Sequence, residues 1–233
     1  MQPPNPQPSI VLSELAHELR TPLTFLCGAI DLLEMEDGAS SPLLAQMRQS
    51  VWGIVRLLDN AVLYEEFAQG DPGANVALHT QPIDLKKFCQ KLLAEIVPPE
   101  QLPLVETRWP EAEILLQIDR ELLRTLLGNL IANAVRFSRP EQPIHLSIHQ
   151  DRSGIALTLR DWGVGIPLEE QRQVGEPFFR ASNVTHRPGL GLGLSLAKRC
   201  AKILQSQITL VSQDGKGCAV TWSLPTDVFS RTL

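Results

Sequence analysis

The chain has 233 residues, 43% of them hydrophobic and 20% charged, and a net charge of −5; that supplies a core for one medium domain or two small ones and excludes a disordered or fibrous chain. Mild acidity without a basic cluster excludes the electrostatic footprint of a nucleic-acid binder. The four cysteines (Cys27, Cys89, Cys200, Cys218) have no paired spacing and read as thiols of a reducing compartment, and the lack of any run of about 18 apolar residues predicts no transmembrane helix.

Residues 1–8 are Pro-rich and uncharged, so they read as an extended arm and not as a signal peptide. Residues 9–37 predict a long helix, because Leu12, Leu15, Leu19, Leu26, Ile30 and Leu33 recur at spacings of three, four and seven. Pro22 lies inside that pattern and predicts a kink. Asp37-Gly38-Ala39-Ser40-Ser41-Pro42 is a turn. Leu44, Met47, Val51, Ile54, Leu58 and Val62 then mark a second helix with the same kind of seam. One such hairpin has too little core to close alone, and pairing two copies into a four-helix bundle is the expected solution. The stretch 69–80 is rich in Gly, Pro, Asn and Asp and reads as a linker. After it the pattern changes. A helix is expected at 85–96, strands at 104–108 and 114–117, and a strong helix at 119–136. Adjacent strands follow at 144–149 and 155–160, then a glycine-opened helix at 192–204. A closing hairpin of 208–211 and 218–223 turns at Asp214-Gly215-Lys216-Gly217. The second region, 81–227, thus reads as a mixed sheet with helices packed on it, followed by a short tail, 228–233.

Chemistry concentrates in two places. In the first helix, His17 directly precedes Glu18, and Thr21 lies one turn on, at i+4, on the same face. Imidazole is a nucleophile near neutral pH, and the neighbouring carboxylate can take its ring proton as it attacks. Thr21 can hold a water or substrate oxygen beside the same ring. The stretch His17-Glu18-Leu19-Arg20-Thr21-Pro22-Leu23 closely resembles the H-box of sensor histidine kinases. The resemblance implies a phospho-accepting His17, proton transfer by Glu18, and a part for Thr21 in removing phosphate from a partner.

In the second region, Asn129 and Asn133 share a helix face at i, i+4, where amides can offer an oxygen to a metal and hydrogen bonds to phosphate. Asp161 follows a strand, where a carboxylate can accept from an exocyclic amine such as that of adenine. Gly163 and Gly165 after it let a ligand approach the backbone. Gly189, Gly191 and Gly193 open a helix, a ready anion site for phosphates. They do not follow the strand–helix layout of a dinucleotide fingerprint, so NAD is rejected. Glu176-Pro177-Phe178-Phe179-Arg180 lies between the two glycine stretches. In this order the segments resemble the N, G1, F and G2 boxes of the histidine kinase catalytic domain, within the ATPase group that includes gyrase, Hsp90 and MutL.

That resemblance covers about residues 9–227. It implies an α+β fold: a helical hairpin at 9–68 that dimerises into a four-helix bundle, then an α/β-sandwich ATP-binding domain. Under it, Asn129 is the magnesium ligand, Asn133 and Arg136 contact phosphate, and Asp161 reads adenine. Phe137, Gly163, Gly165, Ile166, Phe178, Gly189, Gly191, Leu192 and Gly193 line the nucleotide. Arg136 and Phe137 stand where the family usually has Lys and Tyr, Leu190 replaces a frequent Thr or Ser, and the expected lid, 181–188, is short. The implied activity is ATP- and Mg²⁺-dependent autophosphorylation of His17, with transfer to an aspartate of a response regulator. The alternative is an ATP-binding scaffold or phosphatase-biased module. The implied setting is cytoplasmic, or the cytoplasmic portion of a membrane receptor, with an unknown sensor domain or partner.

Overall fold

The computed structural model describes residues 8–37, 42–69, 78–187 and 189–226; some further side chains, that of His17 among them, lie outside the description. The expected arm, the turn after Asp37, most of the 69–80 linker, Pro188 and the tail fall outside the described residues. Two compact units divide after Asp71.

The first unit is a pair of packed helices, α1 (Pro8–Asp37) and α2 (Pro42–Gln69). Ala16, Cys27 and Ile30 of α1 and Leu44 and Asn60 of α2 are buried. Arg20 forms an ion pair with Asp59, tying α1 to α2. Pro22 lies within α1 and has no N–H for the Glu18 carbonyl, yet the helix runs on; the Thr24 hydroxyl donates to the Arg20 carbonyl at 2.9 Å just there.

The second unit opens on β1 (Thr80–Asp84) and α3 (Leu85–Ile96). There follow β2 (Val105–Arg108), β3 (Leu115–Asp119), α4 (Arg120–Phe137), β4 (Ile144–Asp151) and β5 (Gly154–Asp161). After a long irregular stretch come α5 (Gly193–Ile203), β6 (Gln207–Gln213) and β7 (Gly217–Pro225). The main sheet has the order β2-β4-β5-β7-β6, with β2 parallel to β4 and the other pairs antiparallel. The mixed sheet with packed helices, and the α+β class, are therefore as expected. A small separate sheet pairs β1 with β3. Its first strand starts on the last residue of the expected linker and was not expected as a strand, because Pro82 interrupts the pattern; the proline is tolerated in a strand with one partner.

Period-two alternation builds the core. Ile144, Leu146 and Ile148 of β4, Ile155, Leu157 and Leu159 of β5, and Trp222 and Leu224 of β7 turn inward. They meet Leu123, Leu126, Leu127, Leu130 and Ile131 of α4 and Leu196, Ala197 and Cys200 of α5. The one polar atom of Trp222 is satisfied: Nε1 donates to Ser206 Oγ at 2.8 Å, and that hydroxyl donates to the Ala201 carbonyl at 2.9 Å.

Asp119 fixes where α4 starts. Its Oδ1 accepts from the N–H groups of Glu121 (3.0 Å) and Leu122 (3.1 Å), and its Oδ2 accepts from the N–H of His79 at 3.0 Å. One buried carboxylate thus caps α4 and holds the chain as it enters β1. Asp119→Ala is expected to destabilise the second unit by about 1–2 kcal/mol, the scale of a lost N-cap. Calorimetry should show its melting midpoint lowered, and an unchanged midpoint would remove the capping role.

Candidate nucleotide site

The site is built on α4, β5 and the start of α5. Burial of α4 along its core-facing side leaves Asn129 5% exposed, with Nδ2 donating to the Thr125 carbonyl at 2.9 Å. A Cβ added at Gly193, the first residue of α5, would lie 2.9 Å from Asn129 Oδ1 and 3.5 Å from Asn133 Oδ1. Both amides thus meet the opening turn of α5, where only a glycine fits. One turn farther along α4, Arg136 brings its guanidinium against Gly189, where a Cβ would overlap it.

Three guanidinium groups gather here. Arg187 donates to the Arg136 carbonyl and lies over the Phe137 ring, 5.9 Å from its centroid. A nitrogen of Arg180 gathers the carbonyls of Val184 (2.8 Å), Thr185 (3.1 Å) and Arg187. Burial first, and then the positive charges of Arg180 and Arg187, hold the Arg136 pKa below its ordinary value. Among the described residues, no carboxylate forms an ion pair with any of the three.

The other half of the site lies at the end of β5. Asp161 is 6% exposed, and its Oδ1 accepts from the Gly163 N–H at 2.8 Å. Burial pushes its carboxyl pKa up, against hydrogen bonds from Gly163 and Cys218 and the charge of Arg160. Gly163 presses on the Phe137 carbonyl so closely that a Cβ would overlap it, and Val164 N–H donates to that carbonyl at 3.3 Å. Gly165 turns with φ +66° against the Gln213 carbonyl.

The structure thus brings Asn129, Asn133, Arg136, Gly189 and Gly193 together on one side, and Asp161, Gly163 and Gly165 on the other, with Phe137 between them. Ile166 offers its carbonyl to Gln171 Nε2 at 3.0 Å. Gly191 packs on the backbone of Phe178 and Phe179. Phe178 is 59% exposed, and Leu192 is 2% exposed. The Leu192 side chain is therefore part of the core; its carbonyl accepts from Leu196 N–H and Ser195 Oγ. Glu18 and Thr21 are exposed on α1, and His17 is a residue of that helix. Sequence reasoning gave no role to Arg180 or Arg187. An Arg is ordinarily a solvated surface residue, and the one available signal was that no acid occurs from residue 177 to residue 213.

These residues suit a nucleotide with its metal. The arginines supply charge for phosphates, and the glycines leave backbone exposed. No group of three His, Cys, Asp or Glu converges among the described residues, so an ion beside Asn129 would draw most ligands from water and phosphate, as Mg²⁺ usually does.

Comparison with known proteins identifies the two units. Residues 9–70 match the His Kinase A (phospho-acceptor) domain. Residues 118–228 match the histidine kinase-, DNA gyrase B- and HSP90-like ATPase family. Fold and site thus define a phospho-acceptor hairpin joined to an ATPase domain of that class. The chain is 30% identical over 223 residues to the sensor histidine kinase MtrB of Mycobacterium leprae, covering 91% of this chain and 38% of that protein. It is 29% identical over 223 residues to the adaptive-response sensory kinase SasA of Gloeothece citriformis, covering 92% and 57%. Among solved structures, the mycobacterial sensor histidine kinase MprB is similar at TM-score 0.55 and 25% identity, covering 62% of this chain and 97% of that one. Full-length ShkA in complex with AMPPNP shares the fold at TM-score 0.61 and 22% identity, covering 92% and 45%. The chain belongs to the sensor histidine kinases of two-component systems.

The raised Asp161 pKa has a direction in stability. The native state holds this proton more tightly than the unfolded chain, whose carboxyl titrates near about 3.9. The stability this group supports is present below that value and declines as pH rises through the native pKa. Asp161→Asn keeps an oxygen for the Gly163 N–H and carries no charge. It should melt higher than the parent at neutral pH, with the gap closing as pH falls. A variant that melts lower at neutral pH would contradict a buried, penalised carboxylate.

Proposed function

We propose that this chain is an ATP-dependent protein-histidine kinase that phosphorylates His17 and passes the phosphoryl group to an aspartate of a response regulator. The observation that carries the reading is the cluster of Arg136, Arg180 and Arg187, without a carboxylate partner among the described residues, beside the glycine-opened start of α5. Such a gathering of positive charge calls for an anion. With Asn129 and Asn133 at the same turn, and the adenine-reading carboxylate of Asp161 across Phe137, that anion is the triphosphate of ATP.

In the reaction, the His17 imidazole attacks the γ-phosphorus. The new N–P bond forms as the P–O bond to ADP breaks, and Glu18 takes the ring proton. Magnesium held at Asn129 would neutralise charge developing on the phosphates. Arg136, Arg180 and Arg187 hold the phosphates in line, and Asp161 with Gly163 and Gly165 fixes the base. Most of the acceleration is then positioning and electrostatics. The linker near 69–80 lets the ATP-binding domain, 81–227, reach the hairpin, 9–68. Thr21 orients a water for the opposing, phosphatase reaction, in which water attacks the regulator's aspartyl phosphate and inorganic phosphate leaves.

The hairpin serves as a homodimer. Leu19, Leu26 and Leu33 on α1 and Met47 and Ile54 on α2 are exposed at seven-residue spacing. Two helices cannot cover that stripe themselves, whereas a second copy can.

The test is incubation with Mg²⁺ and ATP labelled at the γ-phosphate. The parent should take up acid-labile, alkali-stable label. His17→Gln should bind ATP normally and take up none, and label on that variant would refute the acceptor assignment. Asn129→Ala should lose Mg²⁺-dependent binding by roughly tenfold or more, the scale of a contact to a charged group worth about 1.5–3 kcal/mol, as read by calorimetry.

A further inference from the structure

We propose that Asn183 is a positioning residue that latches the lid, residues 180–187, to the base-binding turn and the β6–β7 tip, and so sets Arg180 and Arg187 for the phosphates. The latch rests on the nucleotide site proposed for the second unit and adds a residue and a function to it. The lid is short, and loops of this kind ordinarily lose freedom only when ligand binds. Here it is tied down at several points. Asn183 Nδ2 donates to the Gly165 carbonyl at 3.1 Å and to Asp214 Oδ1 at 3.3 Å. Glu170 Oε2 accepts from the Ser182 N–H at 2.9 Å. Ala181 and Val184 bury their side chains. Arg180 draws in the carbonyls of Val184, Thr185 and Arg187, so the lid is curled around one of its own guanidinium groups.

The landing points of the latch are themselves fixed to each other. Gly215 N–H donates to the Val164 carbonyl at 2.7 Å, Gly165 packs on the Gln213 carbonyl, and Gln171 Nε2 bridges the carbonyls of Ile166 and Ser212, each at 3.0 Å. The lid is thus fastened to a platform made from the base-binding turn and the β6–β7 tip. Asn183 is the right side chain for the task because both its protons are needed. Its Oδ1 is buried without a partner. Turning the amide over would set that oxygen against a carbonyl and a carboxylate, so the donor side fixes the orientation.

The side-chain chemistry gives a graded series. Asn183→Asp replaces the donor by a carboxylate facing the Gly165 carbonyl and Asp214, and should release the lid. Asn183→Ala removes the latch without repulsion. Asp214→Asn keeps an acceptor oxygen and should change little. In the nucleotide-free full chain, hydrogen exchange across 180–187 should rise in the order parent, Asp214→Asn, Asn183→Ala, Asn183→Asp. A fluorescent ATP analogue followed by stopped flow should dissociate about tenfold faster from Asn183→Asp, a change of about 1.4 kcal/mol. Its KM for ATP should rise with kcat at saturation far less affected. Unchanged lid exchange in Asn183→Asp without nucleotide would overturn the latch and leave the kinase reading standing. A parent chain that binds no nucleotide would instead overturn that reading and the positioning role with it.

Discussion

The contact between Gly163 and the Phe137 carbonyl is the constraint on which the second unit's function depends. A helix end normally leaves carbonyls without intrahelical partners. At the end of α4 one of them accepts the Val164 N–H, and the Gly163 backbone closes on it too tightly for any side chain. The turn that follows β5 is therefore docked on the tip of α4. Asp161 belongs to that turn, and Asn129, Asn133 and Arg136 belong to α4. The two halves proposed to read a base and to hold phosphates are set at a fixed separation by this one approach. Asp119 does the corresponding job at the other end of α4, where its carboxylate fixes the first helical turn and the incoming chain.

Electrostatics then divides the two halves. Asp161 keeps a buried carboxylate against a desolvation penalty that four weaker attractions only partly offset. Arg136 keeps a partly buried cation beside two others. Neither arrangement stabilises the nucleotide-free domain. Like charges brought together and acids taken out of water are costs that a core of Leu, Ile and Trp222 has to offset, and they are returned when a ligand of the matching pattern binds. The nucleotide proposed above has that pattern, with an amine to offer Asp161 and negative charge to set near the start of α5.

What the sequence made legible follows from the range of each signal. The α1 and α2 seams, the amide pair at Asn129 and Asn133, and the alternation in β4 and β5 are local patterns with a period, so they could be read directly. The glycines at 163, 165, 189 and 193 were legible as openings, but which surface each one faced was not. That depends on contacts with Phe137, Gln213, Arg136 and Asn129 far along the chain. Strand β1 was hidden because Pro82 and the Gly-rich stretch before it carry loop chemistry, and only pairing with β3 makes it a strand. Arg180 and Arg187 look like surface charges until the lid folds back on itself. Leu192, in the middle of a glycine motif, belongs to the core, since a helix opened by glycines still has to be anchored by an apolar side chain.

The two units reach stability by different routes, and that difference bears on how a signal could act on them. The second unit encloses its own core and caps its helices with its own side chains. The first has Ala16, Cys27, Ile30 and Leu44 inside but leaves the heptad positions Leu19, Leu26, Leu33, Met47 and Ile54 in water. Its packing is therefore completed from outside, by a second copy in the proposed homodimer. A unit whose core is shared between chains responds to whatever shifts those chains against each other, because the apolar stripe can be covered in more than one register at similar cost. Arg20, a residue of the H-box-like stretch, pairs with Asp59 and ties that stretch to α2. A change in how the two helices pack would therefore reach the turn of α1 that carries His17, the proposed phospho-acceptor.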